Sequence, residues 1–198
     1  MMLNINGPVY NYNEFINWVE TLVNEGKTSG HRQTPELLGY TALNLKRMSR
    51  IFKTTVLNDD LKQLLDQMNE IQKWYVITEA WCGDSAQSFP ALAKIAEESK
   101  GKILINVVLR DENPEWMEKY HTNGAKSIPK MIAFNAQGEE IFTWGPRTKE
   151  AQDILLAWKA NPEGKTWDEF EVDLHTWYAK DKTLTLQHEI TERLSQLV

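Results

Sequence analysis

This chain is short of sulfur: Cys82 is its one cysteine in 198 residues. No internal disulfide can form, so packing alone must hold the fold, and a reducing compartment suits it. The four histidines, His31, His121, His175 and His188, lack the mutual spacing of a metal cage, and with a single thiol they exclude a zinc pattern. A glycine-rich phosphate loop is also missing. No apolar run approaches membrane-spanning length, and Met1-Met2-Leu3-Asn4-Ile5-Asn6 has neither the basic start nor the apolar stretch of a secretory signal. The net charge is −6, with basic residues scattered rather than striped, which disfavours nucleic acid as a partner. These absences predict a cytoplasmic protein without metal or cofactor, acting away from membranes, and they leave the oligomeric state open.

What is present is organised around Trp81-Cys82-Gly83-Asp84-Ser85. An apolar run, Trp74-Tyr75-Val76-Ile77, precedes it, and Phe89, Leu92, Ala93 and Ala96 follow at the spacing of one helix face. Cys82 therefore falls at a strand-to-helix junction. Unpaired backbone N–H groups at a helix start favour thiolate over thiol, so a solvent-reachable, activated sulfur is expected. Asp84 opposes this, because its carboxylate repels a thiolate while suiting a first helical turn. Ser85 shares the helix face with Cys82, either as a polar first-turn residue or in contact with the sulfur.

Three amphipathic helices are read before this junction, one marked by Phe15, Ile16, Val19, Leu22 and Val23 and ending at Gly26, the others starting at Thr34-Pro35-Glu36 and at Asn58-Asp59-Asp60. After it come a helix to about Ser99, the strand Ile103-Leu104-Ile105-Asn106-Val107-Val108-Leu109 and a short helix from Asn113-Pro114. A hairpin turns at Asn135-Ala136-Gln137-Gly138, and a helix runs from about Thr148 to Trp158. Asn161-Pro162-Glu163-Gly164 breaks the chain before two more helices. The divisions are a helical extension over 1–72, an α/β core over 73–160 and a helical extension over 161–198, packed as one domain.

At this point the sequence resembles the thioredoxin family. Glu79-Ala80-Trp81-Cys82-Gly83 is similar to the family's approach to its active site. Asp111-Glu112-Asn113-Pro114 is similar to its turn after the central strand, and Ser127-Ile128-Pro129 to its cis-proline loop before the terminal hairpin. The resemblance covers about Lys73 to Ala160, and bacterial thioredoxin-like proteins with helical extensions are similar in outline. It implies a thioredoxin-like α/β fold, a central mixed sheet flanked by helices, with N- and C-terminal helical extensions. It also implies catalysis at Cys82 with Ser85, and a substrate surface of Trp81, Gly83, Asp84, Ile128 and Pro129, the Ile128 backbone pairing with an extended substrate.

Three departures qualify the resemblance. Ser85 stands where the family has its second cysteine, Val76 where it has a buried acid, and Lys130 where it often has threonine. Cys82 can form a mixed disulfide that Ser85 cannot resolve. The expectation is monothiol disulfide exchange in redox homeostasis, with protein or small-thiol disulfides as partners; the alternative is a non-catalytic protein-binding module on the same scaffold. A glutaredoxin-like Cys-Gly-Phe-Ser cluster site matches three of four positions, but Trp81 and the missing paired glycines after Met131 disfavour it. Asp84 is read as a helix-start residue, and Glu79 and Lys130 as solvated surface charges.

Overall fold

The computed structural model describes residues 4–197. Three helices come first: α1 (Tyr12–Asn24), α2 (Pro35–Thr54) and α3 (Asp59–Gln67). Each starts on a polar residue whose side chain accepts a first-turn N–H: Asn11 from Glu14, Thr34 from Leu37 and Asn58 from Leu61. These bonds satisfy donors that a helix leaves open. There follow β1 (Gln72–Thr78), α4 (Gly83–Glu98), β2 (Ile103–Leu109), α5 (Pro114–Lys119), β3 (Lys130–Phe134), β4 (Glu140–Trp144), α6 (Lys149–Ala160), α7 (Trp167–Asp181) and α8 (Leu184–Ser195).

The strands form one mixed sheet in the order β2-β1-β3-β4. β1 and β2 are parallel, which requires the crossover that α4 supplies, whereas β3 runs antiparallel to both β1 and β4. The lead before α1 adds a contact that the sequence reading did not foresee. Val107 donates its N–H to the Tyr10 carbonyl at 2.8 Å, so this segment lies along the outer edge of β2 and covers groups that an edge strand would otherwise expose.

Alternation along β1 sends Trp74 and Val76 to one face and Tyr75 and Ile77 to the other. The first face carries the larger core, where Phe89, Leu92 and Ile95 of α4 meet Phe15 of α1, Met48 of α2 and Leu61 of α3. Leu186, Ile190 and Leu194 of α8 join that core at 3 %, 0 % and 0 % exposure. Burying three such side chains contributes roughly 5–9 kcal/mol, comparable with the whole stability margin of a small domain. The last helix is therefore structural. The opposite face holds a smaller cluster, in which Cys82 and Ile128 pack with Tyr75, Ile77, Trp116 and Phe134.

The sheet's end is brought onto the loop opposite Cys82 by a glycine. The Ile128–Pro129 and Gly145–Pro146 peptides are both cis, and Gly145 has φ +103°. A Cβ placed on Gly145 would collide with the Pro129 carbonyl oxygen, so the close approach of these loops depends on the missing side chain. Gly145→Ala is expected to destabilise the fold by at least ~2 kcal/mol, from the left-handed strain and the collision together. A urea-unfolding midpoint within error of the unmodified protein's would contradict this account of the loop contact.

Candidate active site around Cys82

Cys82 is the N-cap residue of α4, as the change from strand to helical periodicity predicts. Its N–H donates to the Glu79 carbonyl at 3.1 Å, and its own carbonyl receives the Ala86 N–H at 3.1 Å. Its side chain does not cap the helix. Instead the thiol donates to the Ile128 carbonyl at 3.4 Å, across the groove from α4. Trp81, partly buried, packs in the same cluster, with the Arg110 guanidinium 4.7 Å from its ring centre. Ser85 is buried at 2 % and accepts from the Thr78 hydroxyl at 2.7 Å. Its hydroxyl and N–H act on the sulfur to favour the thiolate.

The expectation of an open, activated sulfur is corrected by this geometry. Cys82 is only 7 % exposed, and burial pushes its pKa up to about 11, with the Asp84 carboxylate adding in the same direction. The bonds from Ser85 and the charge of Arg147 oppose this without overcoming it. A helix start does favour an anion, but by less than the loss of solvent costs it. At neutral pH roughly one sulfur in 10⁴ is then a thiolate, against a few per cent for an ordinary cysteine.

Asp84 is a first-turn acid of α4, as read from the sequence, but its side chain is largely taken out of water. Its two oxygens grip Arg147, Nε to Oδ1 at 3.0 Å, and Tyr178 of α7 donates to Oδ1 at 3.0 Å. Burial raises the Asp84 pKa, while Arg147 and Tyr178 act to lower it. Beside this clamp, His175 of α7 lies against Gly83, where a Cβ would stand 3.4 Å from the imidazole ring. The Gln87 amide lies 2.9 Å from His175 Nδ1, and Arg47 of α2 lies 3.4 Å from Nε2. Burial first, then Arg47, lowers the His175 pKa to about 4.

Two further expectations change. Glu79, read as a surface charge, is 1 % exposed and accepts the Asp111 N–H at 2.8 Å. Burial raises its pKa, which the Ser29 hydroxyl and the Asp111 N–H oppose. Lys130 is half-buried, and its ammonium points to the Gly145 carbonyl at 3.4 Å rather than to the sulfur. Ala80, between Glu79 and Trp81, is held at both backbone groups: its N–H donates to Ser29 Oγ at 2.7 Å, and its carbonyl accepts from Asn44 Nδ2 at 3.1 Å. The N-terminal segment thus supports the turn that carries the thiol.

With that geometry in view, comparison with known proteins gives a consistent result. A family profile described as thioredoxin matches residues 30–163. The chain belongs to the thioredoxin family. It is 34 % identical to a thioredoxin of Rickettsia felis over 107 residues, covering 54 % of this chain and 87 % of that one. Identity to a thioredoxin of Rickettsia conorii is 32 % over 111 residues, covering 56 % and 90 %. Thioredoxin 1 of a Nostoc species is 32 % identical over 90 residues, covering 46 % and 71 %. In overall fold it is similar to a crystallised protein of unknown function from Pseudomonas aeruginosa, with TM-score 0.59, 13 % identity and coverage of 96 % of this chain and 99 % of that one. The thioredoxin match begins at residue 30, well before Lys73, so the family pattern takes in α2 and α3, which the sequence resemblance had left out. Membership supports a redox role for this thioredoxin-family chain in the coarse sense.

Sequence reading missed Arg147, Tyr178, His175, Gln87 and Asn44, which come from elements far apart in the chain. Only tertiary packing sets them beside the Trp-Cys-Gly turn of the thioredoxin pattern. Among the described residues, no group of His, Cys, Asp and Glu side chains is arranged to hold a metal ion.

The electrostatics have a sign that can be measured. Asp84→Asn removes a negative charge and leaves Arg147, so the Cys82 pKa is expected to fall from about 11 by about one unit. Arg147→Met is expected to move it the other way. Thiolate ultraviolet absorbance against pH reads both, with circular dichroism checking the fold, and equal values in the two variants would remove this account. His175 supplies a second test. Its folded pKa, about 4, lies below the ordinary 6.5, so the neutral ring contributes stability above pH 6.5 that drains away as pH falls towards 4. The loss of unfolding free energy over that window should be smaller in His175→Gln than in the unmodified chain.

Proposed function

We propose that this chain is a monothiol member of the thioredoxin family that exchanges disulfides at Cys82 when a substrate segment docks on Ile128. The reading rests on one contact, the thiol donating to the Ile128 carbonyl at 3.4 Å. In strand-fashion recognition that carbonyl accepts an N–H from an extended substrate. Substrate N–H and thiol hydrogen then compete for one acceptor, so docking strips the sulfur of the bond that favours its protonated form. The resting thiol is quiet and its deprotonation is linked to binding.

The exchange proceeds as follows. Cys82 gives its proton to water, and the sulfur attacks one sulfur of the substrate disulfide. The disulfide bond breaks, the leaving thiolate takes a proton, and a Cys82–substrate disulfide remains. Ser85 has no sulfur with which to release it, so release falls to a second thiol on the substrate, on a small thiol such as glutathione, or on another protein. That thiol ends in the new disulfide, and Cys82 returns unchanged. Protein or small-thiol disulfides in a reducing, cytoplasmic setting are the partners this chemistry suits. In this reading Trp81, Gly83 and Pro129 line the groove, and Asp84 sets the field. Residues 1–72 and 161–198 are integral flanks of the one domain.

A second reading has its own observation. A sulfur 7 % exposed, with a pKa of about 11, suits a non-catalytic protein-binding module in which the thiol is incidental. The two separate on one measurement, the rate at which Cys82 exchanges with a glutathionylated peptide compared with free cysteine at the same pH. Exchange faster than the control supports the monothiol enzyme, and exchange slower than the control supports the module. Ser85→Cys is further expected to confer dithiothreitol-dependent insulin reduction that the unmodified chain lacks. No gain would mean that the groove, and not the missing sulfur alone, departs from thioredoxin chemistry.

A further inference from the structure

A cavity of about 360 Å³ lies away from the sulfur, where the end of α2, the middle of α4, the N-cap of α6 and the α7–α8 turn converge. Its size lies at the lower end of the range for small-molecule pockets. Its chemistry is one-sided. On the floor, Ser88 and Thr148 are each 2 % exposed. Ser88 makes no side-chain hydrogen bond among the described residues. Thr148 Oγ1 accepts the Ala151 N–H at 3.4 Å, and its hydrogen has no acceptor there. On the wall, Thr183 Oγ1 accepts from the Gln187 amide at 3.1 Å and likewise has its hydrogen to give. Arg50 and Lys182 stand at the exposed rim, and neither side chain has a carboxylate or other acceptor among the described residues.

The cavity's one acid, Asp181, is committed through one oxygen. Asp181 Oδ1 accepts both the Thr185 N–H, at 3.2 Å, and the Thr185 hydroxyl. Three hydroxyl hydrogens and two rim cations therefore face the cleft without a bonded acceptor among the described residues, beside Asp181 Oδ2 and the Gln87 amide oxygen. The hydroxyls keep contact with the cleft's interior, where water or a ligand supplies the oxygen. The first turn of α8 contains no acidic residue, and Asp181 rather than its N-cap, Thr183, accepts one of its N–H groups. Lys182 and Thr183, at φ 51° and 69°, are consecutive non-glycine residues in the left-handed region and shape the turn around the opening. Ile51 and Leu186 supply an apolar side wall.

We infer that this cleft binds a small organic molecule carrying an oxyanion group, a phosphate ester or a carboxylate, with the anion on the Ser88, Thr148 and Thr183 hydroxyls and between Arg50 and Lys182. The inference is independent of the chemistry assigned to Cys82. The two sites nonetheless share a wall, since Tyr178 lines the cleft and donates to Asp84 at 3.0 Å.

The test is calorimetric titration of the full chain in chloride buffer with inorganic phosphate and, separately, with citrate. Saturable one-to-one binding of phosphate assigns the phosphate class, and binding of citrate alone assigns the carboxylate class. Arg50→Gln and Lys182→Gln are each expected to weaken the binding about tenfold, and Ser88→Ala severalfold. Lys46→Gln, which removes an exposed charge of α2 outside the cleft, should leave it unchanged. No saturable binding of either anion overturns the inference, as does an equal loss in Lys46→Gln or unaltered binding in the Arg50→Gln, Lys182→Gln double variant. Thermal unfolding of each variant without anion separates a lost site from a lost fold.

Discussion

The buried pair between Asp84 and Arg147 is the contact on which the arrangement around the thiol depends. Asp84 lies in the first turn of α4, Arg147 in the loop before α6, and Tyr178, which donates to the same carboxylate, in α7. Three separate elements are therefore tied to the residue two places after the cysteine. Both charged side chains are about one-seventh exposed, at 14 % and 13 %. At such a site the desolvation cost rivals the attraction, so the pair's net worth is small while the loss of one partner costs about 3–5 kcal/mol. Its effect is better described as specificity of arrangement: a carboxylate in that place admits one position for Arg147 and one for the α7 tyrosine.

The same pair sets the field at the sulfur. Arg147 favours the thiolate and Asp84 disfavours it, Asp84 by the larger amount. Burial acts in the same direction as Asp84 and more strongly, and favours the proton. A sulfur at a helix head is thus kept as a thiol, donating to a backbone carbonyl in the groove. Ser85 holds the adjoining position with a hydroxyl that is fixed by Thr78 and has no redox chemistry of its own.

The segment before the sheet also acts on this site through the backbone groups of Ala80. Ala80 would otherwise leave an N–H and a carbonyl unpaired in the interior, each at a cost of about 1–3 kcal/mol. Ser29 and Asn44 meet both. Asn44 lies inside the thioredoxin family match, which begins at residue 30, and Ser29 just before it.

Local patterns decided much of the architecture. Capping residues at Thr34 and Asn58, the apolar strand over Ile103–Leu109, the hairpin turn before Gly138 and the junction at Cys82 act over a few residues, and neighbours in sequence suffice to read them. That the Trp81-Cys82-Gly83 turn and the Ser127-Ile128-Pro129 loop would face each other came from the resemblance to the thioredoxin family. Burial could not be read this way. Glu79 and Asp84 look like surface acids in a linear string, and only the folding of α7 and the N-terminal segment over them takes them out of water. The ionisation of Cys82 was hidden with them, because a pKa depends on solvent and on charges brought from positions as distant as 147, and those distances exist only once the chain has closed on itself.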